Sequence, residues 1–364
     1  MTMNQTREFV ECAKKRGVSF WIDTADVELI QKATALGATG ATTNPSLAAA
    51  QVKKGIYNEL IRGFLDQLQG KGEIRQGMPK ETVYGLVEFE LRKHMALERV
   101  PLVTEDLSVE VNPLIDEMRL FSVAEKAALI YKEGTSLATL DSKVVIKIGF
   151  SEWGLLAAKR LKGDGIRVNM TLCFNEEAAI LSALAGVYVV SMFLGRFDDW
   201  AGKSGLSHLT ELVHRGTHAV HNTIDLFETL GLTQTRFVPA SLRSAEHLVN
   251  TIYPYRTIPT IPPPVFLEQV EKLDSQTAQL EEKDLKSRHE KWIQKDRVNQ
   301  IRSDFQKAFP DGLPPLEEAI SFYQAKGRQS PFVDPFADQG VRMFSDQQAV
   351  LMQVIREIVD RQRS

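Results

Sequence analysis

Lys147 lies in the run KVVIKIGF (143–150), flanked by Ile146 and Ile148. An ammonium among apolar neighbours is costly unless it is paired or gives up its proton. An amine freed in that way attacks ketones and forms Schiff bases. The iminium that results is an electron sink, so a carbon–carbon bond beside it can break or form. That chemistry also needs a general acid–base for a hydroxyl proton, and Asp23 and Glu110 are the candidates. Arg196 in SMFLGRFDDW and Arg243 in PASLRSAEH, with Ser241 close by, suit a phosphate or a similar oxyanion.

These groups meet only if the strands that carry them surround one cavity. Candidate strands are SFWID (19–23), GATGATT (37–43), DLSVEV (106–111), KVVIKI (143–148), IRVNMTL (166–172), GVYVVS (186–191), TRFVPAS (235–241) and RTIPTI (256–261). Helical patterns separate them. Ser122 and Glu125 are spaced as a capping box at the start of one. Asn175 reads as the N-cap of another, with Gly186 just past its end. Strict β/α alternation implies a parallel sheet, and eight strands over residues 18–272 imply an α/β fold of the (β/α)8 TIM-barrel type. The rival, an open doubly wound sheet, lacks a GxGxxG after its first strand.

In a barrel, alternate residues point inward and the site lies at the C-terminal strand ends. Period two puts Trp21 with Asp23, and TTNPS places Asn44 at the rim. It groups Ser108, Glu110 and Asn112; Val145 and Lys147; and Asn169, Thr171 and Cys173. Ser191 and Ser241 end two further strands. A packed core would not gather so many polar groups, because each needs a partner, whereas a ligand site would. Asn44 and the hydroxyls would orient a polyol.

Simpler readings stand beside these. Lys147 alone is a strand-end lysine snorkelling to water. Asp23 could cap the helix beginning ADVELI. Arg196 could pair with Asp198 or Asp199, and Cys173 reads as a small apolar core residue. His214, His218 and His221 share one helix face, with Glu211 and Asp225 near, at a spacing that suits a metal. That helix faces outward in a barrel, so packing histidines are expected and no metal site is assigned.

Composition narrows the classes. The 364 residues are 43% apolar and 25% charged, with a net charge of −3, so nothing points to nucleic acid or an anionic membrane as partner. The longest apolar run, Ala185 to Gly195, is too short to span a bilayer. The N-terminal stretch lacks an apolar signal core, and the two cysteines, Cys12 and Cys173, form no disulfide framework. A cytoplasmic location is expected.

Residues 1–272 are read as the catalytic barrel and 273–364 as a helical extension packed on it. Glu271 to Gln300 is dense in charge, and Val298, Ile301 and Phe305 form its narrow apolar stripe. Residues 329–340 look irregular. Ser345 and Gln348 read as the capping box of a last helix, with Val350, Leu351, Val354, Ile355, Ile358 and Val359 on one face. That helix should dock, either over its own barrel or on a second subunit in a homo-oligomer.

Several motifs resemble those of one family. TTNPSLAAA is similar to the TTNPSL signature of transaldolases, and KVVIKIG to their Schiff-base strand. LSVEV, VNMTLCF, VSMFLGRFDDW and ASLR resemble further strand motifs of that family, in its order. The resemblance implies that Lys147 forms the imine and that Asp23 moves the C4-hydroxyl proton. It implies that Glu110 and Thr171 hold a catalytic water. Asn44, Asn169 and Ser191 fall on positions that bind the dihydroxyacetone part or orient the lysine, and Phe193 lines the same cavity. Arg196, Ser241 and Arg243 fall on the sugar-phosphate site. The implied reaction moves a dihydroxyacetone unit from a ketose phosphate, fructose 6-phosphate or sedoheptulose 7-phosphate, to an aldose phosphate of the pentose phosphate pathway, with no metal or organic cofactor.

Three features depart from the family pattern: Met192 before Phe193, expected to alter the cavity wall; the prolines of IYPYRTIPTIPPPVF; and the segment 273–344. Gly149 also stands where a larger residue is common, and is expected to leave room beside the imine. Three rivals follow: an aldolase releasing free dihydroxyacetone, an enzyme for a modified sugar bearing sulfonate, and a non-catalytic sugar-phosphate sensor.

Overall fold

Short runs of β-branched and apolar residues form each strand: β1 (Trp21–Asp23), β2 (Gly40–Thr42), β3 (Leu107–Glu110), β4 (Val144–Gly149), β5 (Val168–Cys173), β6 (Val189–Phe193), β7 (Arg236–Ala240) and β8 (Thr260–Ile261). The structure is a computed structural model and describes residues 3–203, 214–253, 256–273, 279 and 281–363. The strands pair in parallel in the order β7-β6-β5-β4-β3-β2-β1-β8. A bridge from Phe237 of β7 to Thr257, just before β8, brings the two ends together. With helices between the strands, the chain is a nearly closed (β/α)8 TIM barrel with a helical C-terminal extension.

Local sequence explains where the helices start. The Ser122 hydroxyl accepts from the Glu125 amide (3.3 Å), and the Glu125 carboxylate accepts from the Ser122 amide (2.8 Å). Asn175 caps the helix Glu176–Leu184 through the Ala178 amide (2.8 Å), and Gly186 beyond its end takes φ 76°. The helix Val27–Ala35 is capped by Asp26, not Asp23. Asp23 is thereby left for the barrel interior.

Outward strand residues such as Ile22, Ile146, Ile148, Met170 and Val190 pack under the helices in the main core. Inward, Trp21, Val189, Val238 and Ile258 plug the barrel floor. The Trp21 indole fits because Gly40 beside it has no side chain; a Cβ there would overlap the ring.

Period two fails at the end of β5. Leu172 is left-handed, with φ 61°, and the pairing with β6 shifts between Met170 and Cys173. The irregularity swaps faces: Leu172 joins the apolar wall of the mouth, and Cys173 turns out into the main core, 3.9 Å from Ser182. Asn112 also leaves the inward series, capping a short turn by accepting from the Leu114 amide at 3.0 Å. Met192 belongs to the outer core and not to the cavity wall, because the inward positions of β6 are those of Ser191 and Phe193.

The extension shares the barrel's core. Leu285, Val298, Ile301 and Phe305, from the helices Glu282–Trp292 and Lys295–Ala308, are buried against the barrel helices. The histidine series lies beneath them. His218 Nδ1 meets the Trp292 carbonyl at 2.7 Å, and the His214 ring is 4.9 Å from the Trp292 ring. His221 Nε2 lies 2.7 Å from the Asn250 carbonyl and its Nδ1 lies 2.7 Å from His289 Nδ1. A carbonyl only accepts, so His221 carries its proton on Nε2 and His289 donates to Nδ1. Glu211 lies outside the described residues. Among the described residues, no group of three or more His, Cys, Asp or Glu is placed to hold a metal, and no helix is long and apolar enough to cross a membrane.

The last helix runs from Pro335 to Arg363, eleven residues longer at its start than a cap at Ser345 requires. Ser345 is inside it. The start is set by Asp334, whose carboxylate accepts from the Phe336 amide (2.9 Å), with Pro335 at a position that needs no donor. Most of the stretch 329–340 is therefore short turns and helix. The expected face of Leu351, Ile355, Ile358 and Val359 packs on the helices Pro45–Val52, Asn58–Gly70 and Lys80–Arg99, forming a second core.

Burial pushes the His221 ring down to about 3, and lowers His289 as well. His221 stays neutral in the folded chain over the mildly acid range while it charges in the unfolded one. The unfolded state thus binds more protons below about pH 6.5, and stability falls as pH drops from there. For His221 the slope approaches about 1.4 kcal/mol per pH unit. Thermal melts between pH 7 and 5 should show this decline, and His221→Gln should flatten it. Equal slopes in the two proteins would mean that this contact does not set the acid response.

Candidate active site

Above the apolar floor the inward side chains become polar. Asn169 of β5 donates to the Ser108 hydroxyl of β3 (3.0 Å) and accepts from the Ser191 hydroxyl of β6 (2.8 Å). All three are buried. This bridge satisfies its members and ties three strands across the barrel. Over it lies a cavity of about 640 Å³ at the C-terminal ends of the strands. Asp23, Asn44, Lys147, Thr171, Ser191, Phe193, Arg196, Ser241 and Arg243 line it. Two expected members lie just outside: Asn169 beneath, in the bridge, and Glu110 beside, behind Lys147.

Lys147 is 5% exposed. Its Nζ donates to the Thr43 carbonyl (3.1 Å) and stands 3.2 Å from Glu110 Oε2. The second contact is an ion pair without hydrogen-bond alignment, since Oε2 has no aligned donor. Burial pushes Glu110 up to about 7, against the pull of Lys147. Near neutrality Glu110 is therefore able both to give and to take a proton. Thr171 Oγ1 is buried and has no hydrogen-bond partner among the described residues. Two open polar atoms close to one amine are an arrangement that a reacting molecule can complete.

Asp23 lines the same cavity and feels the charge of Lys147. It accepts from the Thr42 hydroxyl at 2.8 Å, and Thr42 in turn meets Thr260 at 2.6 Å. Desolvation raises its pKa, while Lys147 and the Thr42 hydrogen bond oppose the rise. Asn44 is fixed as a helix cap, accepting from the Leu47 amide at 3.0 Å.

The far end of the cavity is basic. Arg243 chelates Asp199, with contacts of 2.7 and 3.2 Å, and Ser241 beside it is left-handed at φ 62°. Asp199 therefore belongs to Arg243 and not to Arg196. The guanidinium of Arg196 instead lies 5.1 Å from the Phe193 ring and 5.7 Å from the Phe344 ring. Burial and the charge of Arg243 lower its pKa to about 10, which leaves it charged at neutral pH. Lys203 adds a third cation to the lining.

Several lining residues escape a reading of strand parity. Thr42 and Thr260 were legible only as strand hydroxyls. Gln339, Met343 and Phe344 come from the C-terminal helix. Asp116 follows β3 and takes a hydrogen bond from the Trp153 indole. Burial pushes it up to about 6. Gly149, with Glu110, Asp116, Leu172 and Phe344, bounds a chamber of about 10 Å³ that Lys147 does not line, about the size of one water.

A buried lysine beside a near-neutral carboxyl, a second carboxyl lining the same cavity and cations at its far end are groups suited to carbonyl chemistry on an anionic polyol. A family profile described as Transaldolase/Fructose-6-phosphate aldolase matches residues 20–311. The chain belongs to this transaldolase/fructose-6-phosphate aldolase family. Relatives support it. A probable transaldolase of Myxococcus xanthus (strain DK1622) is 32% identical over 248 residues, which cover 67% of this chain and 83% of that relative. A probable transaldolase of Clostridium perfringens (strain SM101 / Type A) is 30% identical over 254 residues, 70% of this chain and 90% of that relative. One named probable transaldolase 1, of Bacillus anthracis, is 30% identical over 247 residues, 67% and 86% of the two chains. The family match ends before the C-terminal helix begins.

The Asn169 bridge generates a test of the site's foundation. Asn169→Ala strands the Ser108 and Ser191 hydroxyls and leaves a void. Stability should fall by about 3 kcal/mol. Urea unfolding measures it, and a loss below about 0.5 kcal/mol would show that the bridge carries no such weight.

Proposed function

We propose that this family member is a transaldolase, transferring a dihydroxyacetone unit from a ketose phosphate such as fructose 6-phosphate or sedoheptulose 7-phosphate to an aldose phosphate. The observation that carries the reading is the Lys147 amine, 5% exposed, with Glu110 at 3.2 Å and an open cavity in front of it. Lys147 attacks the donor's C2 carbonyl, and Glu110 supplies the proton with which the carbinolamine oxygen leaves as water. Thr171 holds that water together with Glu110. Asp23 takes the proton of the C4 hydroxyl as the C3–C4 bond breaks, and its raised pKa suits that role. The electron pair of that bond enters the iminium and gives an enamine. The first aldose phosphate departs, and the enamine attacks the aldehyde of the next; the iminium so formed adds the held water at C2, and the carbinolamine collapses to the new ketose phosphate and the free Lys147 amine.

Asn44 and Ser191 orient the three-carbon unit, Asn169 positions Ser191, and Phe193 forms the wall. Arg196, Ser241 and Arg243 take the phosphate. The chemistry calls for neither metal nor organic cofactor, because the iminium is the electron sink. Such substrates belong to the pentose phosphate pathway, and we assign the reaction to a reducing cytoplasm, in keeping with the free cysteines Cys12 and Cys173.

Borohydride reduction in the presence of a panel of ketose phosphates, read by mass spectrometry, tests the reading. A three-carbon or ketose adduct should appear on Lys147 and vanish in Lys147→Ala. An adduct on another lysine, or none with any ketose, sinks the mechanism. For the anion end, Arg243→Ala should raise KM by tenfold or more, at a cost of about 1.4 kcal/mol or above, for phosphorylated substrates only. An equal rise with unphosphorylated ketoses would remove Arg243 from phosphate binding.

A further inference from the structure

Asp116 carries a carboxyl that none of the steps above uses. It follows the short turn Pro113–Ile115 past the end of β3. The Trp153 indole donates to its Oδ1, and its Oδ2 lies over Gly149, where a Cβ would stand 3.4 Å from it. Lys126, on the helix Val123–Ala138, donates to the Asp116 carbonyl (2.7 Å) and lies 4.1 Å from the centroid of the Trp153 ring. Asp116 and Glu110 bound the same chamber, and Lys147 does not. Room for about one water leaves little solvent to screen one carboxyl from the other. The other charges that Glu110 meets are Lys147, Arg92 on the helix Lys80–Arg99, and Arg196 past β6. Arg92 is itself held by Glu88 and Glu133. Asp116 feels Lys126 and Glu117. The C-terminal helix brings only uncharged Val341 and Phe344 to the chamber.

We propose that Asp116 is a positioning residue for Schiff-base formation, whose negative charge across the chamber moves the proton of the Lys147–Glu110 pair from the amine to Glu110. The proposal rests on the Schiff-base reading given above. When the pair holds one proton, that proton has two places. On Lys147 it makes an ion pair, with no free amine and no acid. On Glu110 it leaves an amine to attack C2 and an acid to expel the carbinolamine oxygen as water. The proton passes from Nζ to the carboxyl, the charge of the pair as a whole is unchanged, and no outside acid or base is consumed. A second carboxylate disfavours an ionised Glu110, and it acts less on Lys147, which does not border the chamber. Asp116 is charged at neutral pH and loses that charge in mild acid, because burial holds it at about 6. In acid both members of the pair carry protons. The reactive form is then reached by removing the proton of the amine alone, a step that does not depend on how acidic Glu110 is. The benefit of Asp116 is therefore confined to neutral and alkaline solution.

The test is the pH profile of kcat/KM for fructose 6-phosphate, with erythrose 4-phosphate as acceptor, taken as the ratio of variant to wild type between about pH 5.5 and 9. Asp116→Asn keeps the shape and an acceptor for the Trp153 indole while it removes the charge. It should lower kcat/KM about fivefold from neutral to alkaline pH, stay within about twofold of wild type at the acid end, and move the acid limb to lower pH. Trp153→Phe removes the donor that favours an ionised Asp116, so Asp116 keeps its proton to higher pH. That variant should resemble Asp116→Asn near neutrality and return to wild type at the alkaline end. An unchanged ratio, or the same fold loss at every pH, in Asp116→Asn overturns the proposal, because a merely structural role scales the whole profile. If Asp116→Asn does not fold, an unchanged or uniformly scaled profile in Trp153→Phe overturns it alone. Borohydride trapping accompanies each protein. A normal wild-type adduct on Lys147 with either of those profiles leaves the Schiff-base reading standing, and absence of a wild-type adduct overturns that reading itself.

Discussion

An amine and a carboxyl group sit 3.2 Å apart inside the barrel, and much of the surrounding structure depends on tolerating them. Taking both from water is expensive, and their attraction repays it only if the remaining polar atoms are served. Lys147 donates a hydrogen bond to the Thr43 carbonyl. Glu110 obtains no second donor and holds its proton up to about 7. The Asn169 bridge below and the Thr42–Thr260 pair beside Asp23 are bonded, whereas Glu110 Oε2 and Thr171 Oγ1 at the reacting face are open. A site of this kind accepts a local cost in stability in return for groups poised to exchange protons.

The barrel supplies a frame in which that cost is borne. Its floor is dry, with Trp21 fitted over Gly40, and its outer surface is sealed by the helices. The extension reinforces the outside, where the neutral His221–His289 contact and the Val298, Ile301 and Phe305 stripe are buried. Its last helix reaches the inside as well, because its second half anchors on the helices between β2 and β3 while its first half overhangs the mouth.

Sequence carried the local part of this arrangement. Strand runs, the Ser122 and Asn175 caps and the inward series through Lys147 depend on neighbours two to four residues away, and all are present. Parity failed at two places: at Asn112, which caps a turn past the end of β3, and at Leu172, where one left-handed residue reversed the faces and carried Cys173 outward. Ser345 and Gln348 have the spacing of a cap, but the Asp334–Pro335 start lies upstream and tertiary contacts carry the helix through Ser345. The histidine series has a metal-like spacing, but its place on an outward helix face called for packing histidines, and the contacts with Trp292, His289 and Asn250 are of that kind. Phe344, Met343 and Asp116 carry no local signal. They are part of the site only through folding, and no periodic rule reaches that far.

That distance has a consequence for assembly. The lysine and the ring that covers it are separated by about two hundred residues of chain, and contacts of such span carry a large loop-closure cost before they repay it. The mouth of the barrel is therefore the part whose completion waits on nearly everything else. Until the last helix seats itself against Leu172 and Arg196, the cleft in front of Lys147 lacks the wall that Met343 and Phe344 supply. In this chain, the last contacts of such span to close are also those that give the lysine its cover.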